Sequence, residues 1–206
     1  MTNFHNIKNK RFSDITESFI KLYNEILLLP EETMEKDYVI SMSQIGYVVY
    51  YKYLEENGYD DILAIYNEVD ALWHGVRLFH TEPYLTSPEF NNDRFGIHKD
   101  TGDGYNPSAA INWPLINCNK NSVTKWYKII NGEPIITQNY IYADHCEVEE
   151  VQSTSLMDNN PMLFRIDVFH SMDNKSNKKR VLASWPFKEG VSWKNSVKIM
   201  QNLHLI

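Results

Sequence analysis

The 206-residue sequence holds only two cysteines, Cys118 and Cys146, and neither sits in a CxxC pair or at zinc-finger spacing. That spacing gives no thiolate zinc site, and two cysteines allow at most a single disulfide, which nothing in the chain calls for. Glycine and proline are sparse, eight of each, too few for a fibrous or low-complexity chain. No stretch approaches the roughly 20 apolar residues of a membrane span. The amino terminus, Met1-Thr-Asn-Phe-His-Asn-Ile-Lys-Asn-Lys10, lacks the apolar core of a signal peptide. Positive charge is short as well: 20 Lys and Arg against 27 Asp and Glu leave a formal net charge of −7. Binding to duplex nucleic acid needs a basic face that displaces counterions, so the balance disfavours nucleic acid as a partner. The one compact basic run, Lys175-Ser-Asn-Lys-Lys-Arg180, reads as a solvated loop. These absences predict a cytoplasmic protein with reduced thiols and no membrane attachment.

What the chain does have is a core. Hydrophobic residues make up 43% and aromatics 13%, which excludes general disorder, and the length suits a single domain over 1–206. Residues 1–75 read as helical. Ser13 or Asp14 is placed to cap a helix with Ile15, Phe19, Ile20, Tyr23, Ile26 and Leu27 at helical spacing, and Pro30 stops it. Further helices are expected over 43–56 and 60–73. From Trp73 the texture changes to short β-prone segments separated by turn signals about every ten residues. Strands are expected at 76–80, 94–99, 109–114, 124–130, 134–140, 146–152, 162–169 and 180–187, with Asn131-Gly132 as a hairpin signal. The predicted class is α+β. About eight strands over 76–187 form a jelly roll, the helical layer packs on one of its sheets, and 188–206 is an extension with a short helix.

One constellation carries chemistry. In a strand, alternate side chains share a face, so His98 and Asp100 point the same way while Lys99 points away. His170 follows 72 residues after His98, in parity with Met162, Phe164, Ile166 and Val168, at the end of an inward-facing strand. Two imidazoles and a carboxylate on one face of an ion leave its other positions open, the arrangement of a non-haem iron(II) site. Arg180 comes ten residues after His170, and a hairpin of that length returns it beside the metal, with Ser184 on the same face. A guanidinium fork beside a hydroxyl suits the distal carboxylate of a keto-diacid.

The ordered set His98-x-Asp100, His170, Arg180 and Ser184 resembles the iron(II)/2-oxoglutarate-dependent oxygenase superfamily, near its prolyl-hydroxylase-like branch. The resemblance covers about residues 76–187. His170-Ser-Met-Asp-Asn174 is similar to the sequence often found at the distal histidine. Asn112-Trp-Pro-Leu-Ile-Asn-Cys118 and Ser122-Val-Thr-Lys-Trp-Tyr127 resemble strands of such enzymes. Where many members have Arg-x-Ser, this chain has Arg180-x-x-x-Ser184.

The resemblance implies a double-stranded β-helix, iron(II) held by His98, Asp100 and His170, and 2-oxoglutarate as co-substrate. It implies oxidative decarboxylation of that co-substrate coupled to hydroxylation of a small-molecule or peptide substrate. Arg180 and Ser184 would hold the distal carboxylate, Asn112 would donate to the C1 carboxylate, and Tyr127 or Trp126 would wall the cavity. The retained Asp100 favours hydroxylation over halogenation. Residues 101–108 read as a loop placed to cover substrate. His145, beside Asp144, has the wrong parity to share a metal with it, and His74 and His80 read as structural. Two other readings compete: a non-catalytic jelly-roll binding or viral structural protein, in which the three ligands diverge in space, and a zinc-dependent hydrolase.

Overall fold

The computed structural model describes residues 2–30, 34, 38–42, 46–81, 83, 96–100, 106–136, 141–143 and 145–206. Within them the chain forms two antiparallel sheets. The larger runs in the order β1 (Phe4–Asn6), β11 (Met162–Arg165), β6 (Ala109–Ile116), β13 (Arg180–Pro186), β4 (Gly75–Thr81), β3 (Gly46–Tyr50), β2 (Val39–Ser41). The smaller runs β10 (Glu147–Ser155), β7 (Ser122–Asn131), β12 (His170–Asn174), β5 (His98–Lys99), β9 (Ile141–Tyr142), β8 (Ile135–Ile136).

Strand alternation divides the apolar residues between two cores. On β13, Val181, Ala183 and Trp185 join a core with Phe12, Phe19, Leu22 and Ile26 of α1 (Lys10–Asp14) and α2 (Thr16–Ile26). Ile62 and Ile65 of α4 (Asp60–Glu68) and Met200 of α5 (Trp193–Asn202) belong to the same core. The helices therefore cover the outer face of the larger sheet. Trp113 anchors that layer: fully buried, it stacks on Phe12 at 5.9 Å and donates its indole N–H to the Phe12 carbonyl at 2.7 Å. The opposite face of the larger sheet contributes Phe79, Ala110, Met162, Phe164 and Leu182 to a second core with Trp126 of β7. The candidate site opens in this second layer.

Several sequence expectations need correction. Residues 46–50 are strand β3, and the helix expected over 43–56 starts only at α3 (Tyr51–Glu56). Val48 and Val49 suit a strand, and β3 pairs in register with β4. Gly46 permits this close approach: its φ is +143°, and a Cβ there would lie 1.9 Å from the Leu78 carbonyl oxygen. Together with β1 and β2, this makes the first 75 residues a mixed segment, not a helical one. Ser13 and Asp14 belong to the short helix α1, which Asn9 caps by accepting from the Arg11 N–H, and the helix they were expected to cap, α2, starts after Ile15 with no side-chain cap. Asn131-Gly132 ends β7, whose ladder partners are β10 and β12; it does not link two paired strands. The strand expected over 162–169 ends at Arg165. The chain then crosses between sheets, and His170 opens β12 in the other one. Arg180 likewise begins a strand of the larger sheet, so 170–180 is a crossover and not a hairpin within one sheet.

Candidate metal centre

Strand pairing assembles the site. His98 pairs with His170 on one side and with Tyr142 on the other, and His170 pairs with Trp126. These four residues form one row across the smaller sheet, facing the larger. Asp100, two residues beyond His98, is tied down by its N–H to the Ile166 carbonyl at 3.2 Å. Lys99 points the other way, its ammonium 4.5 Å above the Phe169 ring. One ligand atom each from His98, Asp100 and His170 lies within 4.8 Å of the others. His98 Nε2 is 3.3 Å from Asp100 Oδ1, and the imidazole centroids are 4.6 Å apart.

Hydrogen bonding selects the tautomer. His98 Nδ1 lies 2.7 Å from the Gly96 carbonyl oxygen and His170 Nδ1 lies 2.9 Å from that of Val168. A carbonyl only accepts, so each Nδ1 carries a proton, and the nitrogen left to meet an ion, once any proton on it is displaced, is Nε2. Both anchors are two residues upstream of their histidine. Sequence reading missed them because backbone acceptors leave no mark in residue identity.

The charge states agree with that arrangement. Burial works against an ionised Asp100, but the His98 hydrogen bond and the charges of His98, His170 and Arg77 outweigh it, holding the carboxyl well below its usual range. Burial, reinforced by the charge of His98, pushes His170 down to about 4 against the opposing pull of Asp100. The unfolded histidine takes up a proton near 6.5, before the folded one does, so His170 favours folding fully above that value. In the metal-free protein its contribution should fall away as pH drops from about 6.5 to about 4. Melting temperatures across that range should decline more steeply in wild type than in His170→Gln; parallel profiles would contradict the assignment.

Across the cavity, the larger sheet presents a polar row. Ser184 pairs with Asn112 on one side and Arg77 on the other. Arg77 was not anticipated, and its Nη1 lies 3.3 Å from Asp100 Oδ2. Asn112, Ser184, Thr124, Trp126, Phe164 and Met172 line the cavity with the three ligands. Asn112 Oδ1 and Thr124 Oγ1 are buried there with no hydrogen-bond partner among the described residues.

The other expected site residues fall elsewhere. Arg180 is fully buried but is not in the lining; its Nη2 reaches Thr81 Oγ1 at 3.4 Å and Met172 Sδ at 3.7 Å. Tyr127 does not wall the cavity. It points to the outer side of the smaller sheet, where its hydroxyl lies 3.1 Å from Ser171 Oγ, and Trp126 takes the inner place. His145 is exposed, while Asp144 and residues 101–105 of the expected covering loop lie outside the described residues. His74 stacks on Tyr50 at 5.4 Å and His80 Nδ1 meets the Tyr23 hydroxyl at 3.2 Å, both away from the cavity.

No family model matches this sequence, and no curated protein matches it. Solved structures do. An epimerase, SnoN, solved with Fe3+, α-ketoglutarate and nogalamycin RO, superposes with a TM-score of 0.53 at 7% identity, over 92% of this chain and 80% of that one. A non-haem monooxygenase, ThoJ, gives 0.49 at 11% identity over 91% and 74%, and a Pseudomonas putida prolyl-4-hydroxylase gives 0.42 at 9% over 91% and 92%. The first comparison establishes that this chain shares its fold with SnoN. No helix among the described residues is long and apolar enough to cross a membrane.

Proposed function

We propose that this protein is a non-haem iron(II) enzyme of the 2-oxoglutarate-dependent oxygenase superfamily, a single-domain double-stranded β-helix that oxidises a small-molecule or peptide substrate. The observation that carries the reading is the convergence of His98, Asp100 and His170, from separate segments, within 4.8 Å inside a cavity between the sheets. The donor set fits the metal. Two neutral imidazoles and one carboxylate suit ferrous iron with open positions, and the partnerless Asn112 and Thr124 oxygens supply polar contacts beyond it. When bound, iron(II) with 2-oxoglutarate supplies oxidative decarboxylation to succinate and carbon dioxide, coupled to C–H oxidation, with hydroxylation the expected outcome.

The protein's part is to hold, orient and shield. His98 and His170 present their Nε2 lone pairs because the Gly96 and Val168 carbonyls hold the opposite nitrogens. Asp100 presents Oδ1 while Arg77 occupies Oδ2. Asn112 and Ser184 face the cavity from the larger sheet, and Trp126 and Phe164, packed edge to face at 5.3 Å, keep one wall apolar and exclude water. Arg180 anchors the distal carboxylate from the far end. Because its guanidinium now rests against Met172, that flexible thioether must turn aside to open the path.

Arg180→Ala should therefore raise the 2-oxoglutarate concentration for half-saturation roughly tenfold to a hundredfold, the loss of a charge-assisted contact of about 1.5–3 kcal/mol. An unchanged value in an anaerobic titration would reassign Arg180 to structure. The function itself is tested by succinate formation from 2-oxoglutarate. It should require both iron(II) and oxygen, and zinc should not replace iron. Succinate formed without oxygen, or zinc-supported hydrolysis, would contradict the reading.

A further inference from the structure

Arg77 stands on β4, in a strand whose neighbours Val76 and Leu78 face the helices, so its side chain lies on the cavity side with Phe79. It pairs across the sheet with Ser184 on β13 and Val48 on β3. An arginine on the inner face of a central strand has a desolvation cost that a surface arginine does not. Among the described residues it forms an ion pair with one oxygen of a residue that the metal-site reading makes a ligand. Arg77 Nη1 is 3.3 Å from Asp100 Oδ2, while Asp100 Oδ1 faces His98 Nε2 at the same distance. Both side chains are mostly buried, 15% and 14% exposed, so solvent screens the pair little. The carboxylate is thus shared, one oxygen toward the histidines and the other toward the guanidinium.

We propose that Arg77 is a positioning residue for the metal centre: it holds the outer oxygen of Asp100 so that the inner oxygen is presented to the ion alongside His98 and His170. The proposal rests on the metal-site reading above. It assigns the larger sheet a direct part in the centre, since the ligands come from the smaller sheet and its flank while the group that orients the acid comes from across the cavity. Two backbone carbonyls orient the imidazoles; Arg77 does the same for the carboxylate. Outer partners of this kind carry a recognisable share of metal affinity, and losing one costs roughly tenfold to a hundredfold.

The test uses manganese(II) alone as probe, with free ion followed by electron paramagnetic resonance in the full chain, for wild type, Arg77→Gln and Arg77→Lys. Expected is a loss of roughly tenfold to a hundredfold in affinity for Arg77→Gln, a smaller loss for Arg77→Lys, and a lower melting temperature for metal-free Arg77→Gln, which leaves the buried Asp100 carboxylate without its cation. Equal affinity of Arg77→Gln and wild type overturns the proposal. Should Arg77→Gln not fold, Arg77→Lys decides, and wild-type affinity there overturns the proposal. Wild type that binds no manganese removes the metal-site reading and this proposal together. Wild type that binds while the Arg77 variants bind equally well removes only the role of Arg77.

Discussion

His170→Ala is expected to abolish divalent-metal binding while leaving the fold intact. His170 sits at the centre of the row Trp126–His170–His98 and supplies one of three ligands. Its removal takes away an inner donor, so the loss in manganese or iron(II) affinity should exceed the roughly hundredfold attached to an outer-shell partner. Isothermal titration of the metal measures it. Because the buried imidazole is neutral at ordinary pH, its removal strands no charge, and the metal-free variant should melt near wild type at pH 7. Retained tight binding would mean that the three groups do not act on a common ion. Loss of binding accompanied by unfolding would place His170 in the core instead.

The second large effect concerns the layer that supports the site. Trp113→Ala should destabilise the protein by about 3–5 kcal/mol, the usual range for removing a fully buried large aromatic. Domains of this size are stable by only about 5–15 kcal/mol, so a large share of the margin goes. Trp113 is wedged between Phe12 and Phe19, with centroids at 5.9 and 5.1 Å, and its N–H satisfies the buried Phe12 carbonyl. The substitution leaves both a void and an unmet acceptor. Urea unfolding should show a large fall in midpoint; a change below about 1 kcal/mol would mean that the helical layer re-forms around the gap.

Much of the centre was legible because it obeys simple parity. His98 and Asp100 share a face by strand alternation, and Lys99 between them points out, as the cation–π contact with Phe169 shows. The mixture of helices and antiparallel strands was legible too. What escaped the sequence has physical causes. Ile166 and Val168 continue the alternation of β11 without a break, so nothing in residue type marks the crossing between sheets before His170. The inner face of β7 carries Ser122 and Thr124, both polar, which disguises it and hides that Trp126 rather than Tyr127 turns inward. Tyr47, Tyr51 and Leu54 fall at helical spacing although the first of them is in a strand. Arg77 escaped notice because its partner lies 23 positions away, and only the fold brings the two together. Polar residues on inner faces defeat pattern reading, and they are the residues a buried reaction centre requires.

The central claim is that three side chains distant in sequence hold one ferrous ion that 2-oxoglutarate can chelate. Anaerobic titration of the iron(II)-loaded wild-type protein with 2-oxoglutarate tests it most directly, through the visible metal-to-ligand charge-transfer band. A saturable band should appear with wild type. Wild-type protein that takes up iron(II) yet shows no band at any co-substrate concentration would contradict it.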